Sequence, residues 1–259
     1  MNHALTIARK EIVDGLRDVR SVIASLFYAL MGPGVVGLVA VATHPETKSG
    51  AGVLTGMMAI FTLVSAFVGG MNVAMDTVAG ERERRSLLPL LLNPVPRQSI
   101  MLGKWLAVSF FALAGLVIDV LGFLVVFATS KIQFGAAGPR VVLPVALGLL
   151  TLPFLAASIQ LLISTASHAV KEAQTYLSLV VFLPMGVGMF LVFSPAARQA
   201  WCSFLPLVGQ QLQLEALMNG GDVAIFQPIV LGVLTVTLAI LILLVAADRL
   251  QRDEIIYGS

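Results

Sequence analysis

The chain has 259 residues and a formal net charge of +2, and 58% of its residues are hydrophobic while only 12% are charged. Soluble domains carry about 25% charged residues, so this composition excludes a water-soluble globular protein and predicts a polytopic membrane protein. The small net charge gives no support for nucleic-acid binding, and the single cysteine, Cys202, excludes a disulfide within the chain. A membrane span needs about 20 mostly apolar residues, so the length leaves room for about six spans with short loops.

The N-terminal segment predicts an amphipathic helix over residues 3–20. One face carries the apolar residues Leu5, Ala8, Ile12, Leu16 and Val19. The other face carries the basic residues Arg9, Lys10, Arg17 and Arg20. This pattern is typical of an interfacial helix that lies among lipid headgroups, and a plain cytosolic tail is the alternative. The acidic residues of the same segment argue against a cleavable signal peptide.

Six apolar segments predict membrane-spanning helices over about residues 21–42, 53–75, 100–128, 141–165, 173–193 and 227–247. Gly32-Pro33-Gly34 interrupts the first span, and a kink there either lines a substrate path or permits close helix packing. Near the end of the second span, Gly69-Gly70 predicts a close approach between helices. At the start of the third span, Lys104 and Trp105 are interpreted as interfacial anchors.

Asp119 lies inside the predicted third span. An ionisable group at that depth is costly, so Asp119 is a candidate intramembrane polar site. The alternative is an aspartate near the outer end of the span that reaches water or pairs with a neighbour.

A charged stretch separates the second and third spans. Five of the six residues from Gly80 to Arg85 are charged, and apolar residues follow at helical spacing, namely Leu87, Leu88, Leu91 and Leu92. The pattern predicts a short amphipathic helix over residues 80–93, although Pro89 is expected to kink it and Asn93-Pro94 to end it. Such a helix between two spans is expected to lie along the membrane surface and to be available to a partner.

Segments too short to cross the membrane precede the sixth span and predict re-entrant or surface-lying helices over residues 198–218. With an inside N-terminus, the inner segments hold 12 of the 16 basic residues, and the outer ones hold Lys48, Lys131, Arg140 and Arg198. The positive-inside rule then predicts that both termini and the charged stretch face the cytoplasm.

Several catalytic motifs are absent from the sequence. There is no GxxxxGK[ST] phosphate loop, no HExxH zinc motif and no GxSxG nucleophile elbow. We therefore expect no ATP site, metal site or enzymatic activity on this chain.

The most specific motif comprises Gly80-Glu81-Arg82-Glu83-Arg84, Leu87, Pro89-Leu90-Leu91, Pro94-Val95, Arg97 and Gly103-Lys104. It resembles the segment after the second span of ABC type-2 transporter permeases, with the closest likeness to the NatB-like sodium-extrusion permease family, and the six-span layout extends the likeness over the chain. Leu88 departs from the glutamate that many relatives carry. The short loop His44–Gly52 replaces a large external domain common in NatB-like permeases, which leaves the substrate open among sodium, a drug, a peptide and a lipid-linked molecule.

This resemblance implies the permease subunit of an ABC exporter in a prokaryotic inner membrane, with residues 80–93 as the coupling helix and residues 198–218 as external re-entrant helices. The implied ATPase-coupling residues are Gly80, Glu81, Arg82, Glu83, Arg84, Arg85, Leu87 and Leu91. ATP and magnesium would bind a partner ATP-binding subunit, and a second permease copy, identical or paralogous, would complete the path. The alternative function is a non-transporting membrane scaffold or sensory subunit that holds a cytosolic partner.

Overall fold

The computed structural model describes residues 2–43, 48–86, 95–129, 139–194, 199–221 and 223–250, and every regular element within these ranges is helical. The N-terminal helix is Asn2–Arg17. The main apolar helices that follow are Val19–Thr43, Lys48–Val68, Arg97–Thr129, Pro139–Leu149, Leu152–Ala166, Val170–Phe193 and Phe226–Arg249. The other elements are Met71–Ala74, the π-helix Met75–Gly80, Glu81–Glu83, the 3₁₀ helix Ala200–Phe204 and the helix Val208–Met218.

Six helical segments are long and apolar enough to cross a membrane, and we number them as the first to sixth spans: Val19–Ala42, Gly52–Glu83, Arg97–Thr129, Val142–Ala166, Val170–Leu191 and Phe226–Arg249. The prediction of an all-α membrane protein with six spans is confirmed. The second span extends beyond its predicted end near Met75, because helical structure continues through a π-helix into the charged stretch. The fourth span consists of two helices that meet at Leu150 and Thr151, directly before Pro153.

One end of the bundle gathers the N-terminal helix, the end of the second span, the start of the third and the turn between the fourth and fifth. We call it the charged end, because it holds Glu11, Glu81, Arg82 and Lys104. A buried apolar cluster from the second, third, fourth and sixth spans packs beside these charges and includes Val73, Val78, Met101, Leu161, Leu243 and Leu250. Four spans therefore share one packed core where the charged groups lie.

The N-terminal helix packs lengthwise along the start of the third span. A Cβ added to Gly103 would lie 2.8 Å from the Ala4 carbonyl oxygen, and one added to Gly15 would lie 2.8 Å from the Phe111 ring. The buried face of this helix carries small residues such as Ala4, whereas Leu5 remains 56% exposed. Small side chains thus face the protein, and the placement of the larger ones among lipid headgroups stays a prediction.

Two short helices, Ala200–Phe204 and Val208–Met218, lie toward the opposite end of the bundle and are too short to span a membrane. The polar residues of Val208–Met218 are buried, and Gln210 donates a 2.8 Å hydrogen bond to Thr235 on the sixth span. Residue 198, the first of the predicted re-entrant segment, lies outside the described residues. That these helices are external or re-entrant stays a prediction.

Candidate functional site at the charged end

The second span changes its geometry as it approaches the charged end. Its main helix ends at Val68, Gly69 and Gly70 form a turn, and a π-helix follows at Met75–Gly80. The two glycines lie against the backbone of the third span, since an added Cβ on Gly70 would come 2.7 Å from the Val108 carbonyl oxygen. The predicted close approach at Gly69-Gly70 is confirmed. π-helical turns are rare and occur frequently at functional sites.

Lys104 lies at the centre of this region with no exposed surface. Its ammonium group donates hydrogen bonds to Glu81 Oε2 at 2.8 Å and to the Thr77 carbonyl oxygen at 2.5 Å, and Glu11 Oε1 lies 3.5 Å away. The interpretation of Lys104 as an interfacial anchor is wrong, because the side chain points into the protein. These contacts join the third span to the second span and to the N-terminal helix.

Lys10 adds a more exposed cation to the same group of charges. Its ammonium group lies 3.2 Å from Glu11, 3.7 Å from Asp14 and 3.9 Å from Glu81. Partial burial opposes the charged form of Lys10, but the three carboxylates outweigh burial and raise its pKa above the ordinary value. We call Lys104, Glu81, Glu11 and Lys10 the Lys104 cluster.

Trp105, the neighbour of Lys104, also faces the protein. Its indole N–H lies 2.8 Å from the Ser158 hydroxyl oxygen and 3.1 Å from the Phe154 carbonyl oxygen, both on the fourth span. The ring packs against that of Phe154, with centroids 5.4 Å apart. Trp105 therefore fixes the third span to the fourth, and its interpretation as an interfacial anchor stays a prediction.

Arg82 and Glu83 attach the end of the second span to the turn between the fourth and fifth spans. The Arg82 guanidinium donates to the carbonyl oxygens of Ser167 at 2.6 Å and Thr165 at 3.0 Å. Glu83 Oε2 accepts a 2.9 Å hydrogen bond from the backbone N–H of Val170, the first residue of the fifth span. A carboxylate at that position is favoured, because the first N–H groups of a helix lack partners within it.

Arg84 and Arg85 lie beyond these attachments and are exposed. Arg84 forms a 2.8 Å ion pair with Asp76, and the hydrogen bond from this pair raises the Arg84 pKa. Gly80 lies beside the pair, since an added Cβ would come 2.6 Å from Asp76 Oδ1. Arg85 has a φ of 56°, in the left-handed region, and helical structure ends before it.

The structure thus brings together six of the eight residues proposed to contact an ATPase: Gly80, Glu81, Arg82, Glu83, Arg84 and Arg85. Leu87 and Leu91 lie outside the described residues, as does most of the predicted 80–93 helix. Within the described part of that segment, residues 80–83 continue the second span. The coupling role of all these residues stays a prediction.

The remaining candidate, Asp119, lies away from the charged end in the third span. It is 1% exposed, and neither of its carboxylate oxygens has a hydrogen-bond partner in the part of the chain that the structure describes. Asp119 therefore does not reach water in this arrangement of the helices, although the Thr62 hydroxyl lies beside its carboxyl group. Its functional role stays a prediction.

Sequence comparison identifies the class of protein that carries this fold. Residues 5–247 match the sequence model of the family described as ABC-2 family transporter protein. The match covers nearly the whole chain, so this chain belongs to the ABC-2 family of transporter proteins.

Curated relatives agree with this assignment. The ABC transporter permease protein NatB of Bacillus subtilis (strain 168) is 36% identical over 183 residues, which cover 68% of this chain and 47% of NatB. The probable ABC transporter permease protein NosY of Pseudomonas aeruginosa is 31% identical over 144 residues, covering 55% of this chain and 50% of NosY. The probable permease NosY of Stutzerimonas stutzeri is 34% identical over 113 residues, which cover 40% of this chain and 38% of that NosY. The chain spans about half the length or less of these relatives.

Proposed function

We propose that this chain is the membrane-spanning permease subunit of an ATP-driven exporter. ATP and magnesium bind a separate ATP-binding subunit, a second permease copy completes the translocation path, and the charged end faces the cytoplasm of a prokaryotic inner membrane. Membership of the ABC-2 family supports this proposal, as do two relatives named as ABC transporter permeases. The concentration of basic residues at the charged end supports the orientation.

The attachment of residues 80–83 to three other parts of the molecule is the observation that carries the mechanism. Glu81 binds Lys104 on the third span, Arg82 binds carbonyl groups before the fifth span, and Lys10 on the N-terminal helix lies 3.9 Å from Glu81. A force applied to this segment from outside the membrane therefore acts on several spans at once. Energetic coupling between two distant sites requires a structural element whose position is influenced by both sites. Residues 80–83 are proposed as that element.

The structure also suggests how the charged residues divide their roles. Glu81 is 7% exposed and forms part of the Lys104 cluster, so it positions the segment from within. Arg84 and Arg85 are exposed beyond it, so we propose them as the direct contacts for the ATP-binding subunit.

Affinity purification from the native membrane tests the proposal. A co-purifying ATPase with a nucleotide-binding loop is expected with the wild-type chain, and the Arg84→Glu/Arg85→Glu variant is expected to lose it at unchanged membrane levels. Arg9→Glu/Arg17→Glu makes the same charge change on exposed residues of the N-terminal helix and is the matched control. An ATPase retained by the first variant contradicts the contact, and no ATPase with the wild-type chain contradicts the function. A bound ATPase whose turnover ignores every transport substrate would instead support the scaffold function.

A further inference from the structure

Asp119 is a buried acid deep within the third span. Its position is about 22 Å along the helix axis from Lys104, at 1.5 Å per residue, in a helix that runs from Arg97 to Thr129. The side chain is 1% exposed, and both carboxylate oxygens lack hydrogen-bond partners among the described residues. The Thr62 hydroxyl neighbours the carboxyl group, yet no hydrogen bond of ordinary geometry joins the two.

The first and second spans cover this acid closely. A Cβ added to Gly32 would lie 3.1 Å from Asp119 Oδ1 and 2.7 Å from the Phe61 Cβ. Three residues beyond Asp119 on the third span, Gly122 packs against Pro33, and a Cβ added to Gly122 would lie 2.6 Å from the Pro33 ring. The absence of side chains at Gly32 and Gly122 thus lets the first span close over Asp119. Close packing at Gly32 and Pro33 fits one of the two roles predicted for Gly32-Pro33-Gly34, and a substrate path along this segment stays a prediction.

No described cation neutralises Asp119. The described ionisable side chains on the elements that pack against the third span lie elsewhere: Arg20 and Tyr28 on the first span, the 76–83 charges at the end of the second, Asp248 and Arg249 at the end of the sixth, and the Lys104 cluster. Tyr28 is 44% exposed and faces outward, and the others lie toward the ends of their helices. A carboxylate anion buried without a counter-ion or hydrogen bonds is strongly disfavoured, whereas a neutral carboxylic acid is tolerated.

We propose that Asp119 is a proton-binding site, which holds one proton while the first span packs over it and releases that proton to water when the first and third spans separate. The ligand is the proton alone, and binding converts the carboxylate to a carboxylic acid. Because the proton binds the packed arrangement more tightly than the open one, protonation favours packing of the first span on the third. This site goes beyond the proposed function, since it requires neither the ATPase nor a transport substrate.

Labelling with a hydrophobic carbodiimide tests the site, because this reagent adds to carboxylic acids in apolar surroundings. The wild-type chain in native membranes is treated over a range of pH, and the modified peptide is quantified by mass spectrometry. We expect an adduct on Asp119 that decreases about tenfold for each pH unit above the midpoint, as for a single titrating group. Asp119→Asn is expected to carry no adduct at this position.

Two glycine variants of the same helix test the link to packing. Gly32→Ala places a methyl group against Phe61 and Asp119, whereas Gly34→Ala meets no atom within 4 Å. Gly32→Ala is therefore expected to move the labelling midpoint to lower pH, and Gly34→Ala is expected to leave it unchanged. Equal midpoints in a folded Gly32→Ala variant and the wild type would overturn the proposed link.

Infrared spectroscopy of the reconstituted wild-type chain supplies a readout that does not depend on access of the reagent. The difference spectrum between wild type and Asp119→Asn is expected to show the carbonyl stretch of a protonated carboxylic acid, which disappears at high pH. The absence of this band at low pH would overturn the proposal, as would labelling that does not change with pH. Protection from labelling by sodium ions at constant pH would assign the site to a metal cation instead.

Discussion

Lys104 and Asp119 lie on the same helix and are both buried, but their surroundings are opposite. Lys104 has acceptors from Glu81, Thr77 and Glu11, which belong to two other parts of the bundle. Asp119 has no hydrogen-bond partner within the described ranges, and Gly32 and Thr62 lie beside its carboxyl group. A buried charge with complete partners fixes the elements that supply them, whereas a buried acid without partners is favoured in its neutral, protonated form.

The largest expected effect on stability comes from removing one of these two buried groups. Lys104→Met leaves Glu81 buried without its closest cation, since Lys10 is 60% exposed and lies 3.9 Å away. Removing one partner of a buried ion pair typically costs about 3–5 kcal/mol. Asp119→Asn replaces a group that has no ionic partner with one of nearly the same shape, so we expect little change. The thermal unfolding midpoint in detergent should therefore fall sharply for the first variant and hardly at all for the second.

The double variant Lys104→Met/Glu81→Gln is the control for the first prediction. It removes both charges of the closest pair. Its thermal unfolding midpoint should therefore lie well above that of Lys104→Met and close to that of the wild type. A Lys104→Met protein as stable as wild type would contradict the role of the Lys104 cluster in joining the helices. A large loss in Asp119→Asn would show that this carboxyl group is structural.

A smaller loss of stability is expected from a substitution where the second span contacts the backbone of the third span. Gly70→Ala would place a Cβ 2.7 Å from the Val108 carbonyl oxygen and 3.0 Å from its side chain. Overpacking of this kind typically costs about 1–3 kcal/mol. Gly186→Ala in the fifth span is the matched control, because no atom lies within 4 Å of its added Cβ. Equal unfolding midpoints for the two variants would mean that the second span moves aside easily, and that the charged end is less rigid than its contacts indicate.

The sequence predicts the spans well because their signal is local. Apolar runs of sufficient length specify membrane helices regardless of their neighbours, and Asp119 stands out within such a run for the same reason. Lys104 was misinterpreted because its partner Glu11 is 93 residues away and Glu81 is 23 residues away. No local pattern reveals that pairing, although a lysine beside an apolar run calls for a search for buried acids elsewhere in the chain.

The geometry of the charged stretch shows a second limit of sequence interpretation. The spacing of charges after Gly80 predicted a separate helix, yet residues 80–83 continue the second span through the π-helix Met75–Gly80. The residues Met75-Asp76-Thr77-Val78-Ala79-Gly80 are compatible with an ordinary α-helix, so nothing in them marks the change of hydrogen bonding. The π-helix is instead accompanied by contacts with other spans. One of them is the 3.1 Å hydrogen bond from the Ala79 N–H to the Ser164 hydroxyl oxygen.

The smallest expected effect concerns the ion pair between Arg84 and Asp76, whose 2.8 Å separation equals that of Lys104 and Glu81. The side chains are 57% and 64% exposed, however. Exposed pairs contribute about 0–1 kcal/mol and are screened by salt.

In a double-mutant cycle with Asp76→Asn and Arg84→Gln, the coupling measured from unfolding midpoints should be near zero at high salt. A matching cycle with Glu81→Gln and Lys104→Met should show strong coupling that salt hardly changes. If both cycles gave the same coupling, separation alone would determine the strength of these pairs, and burial would not distinguish the Lys104 cluster from a surface contact.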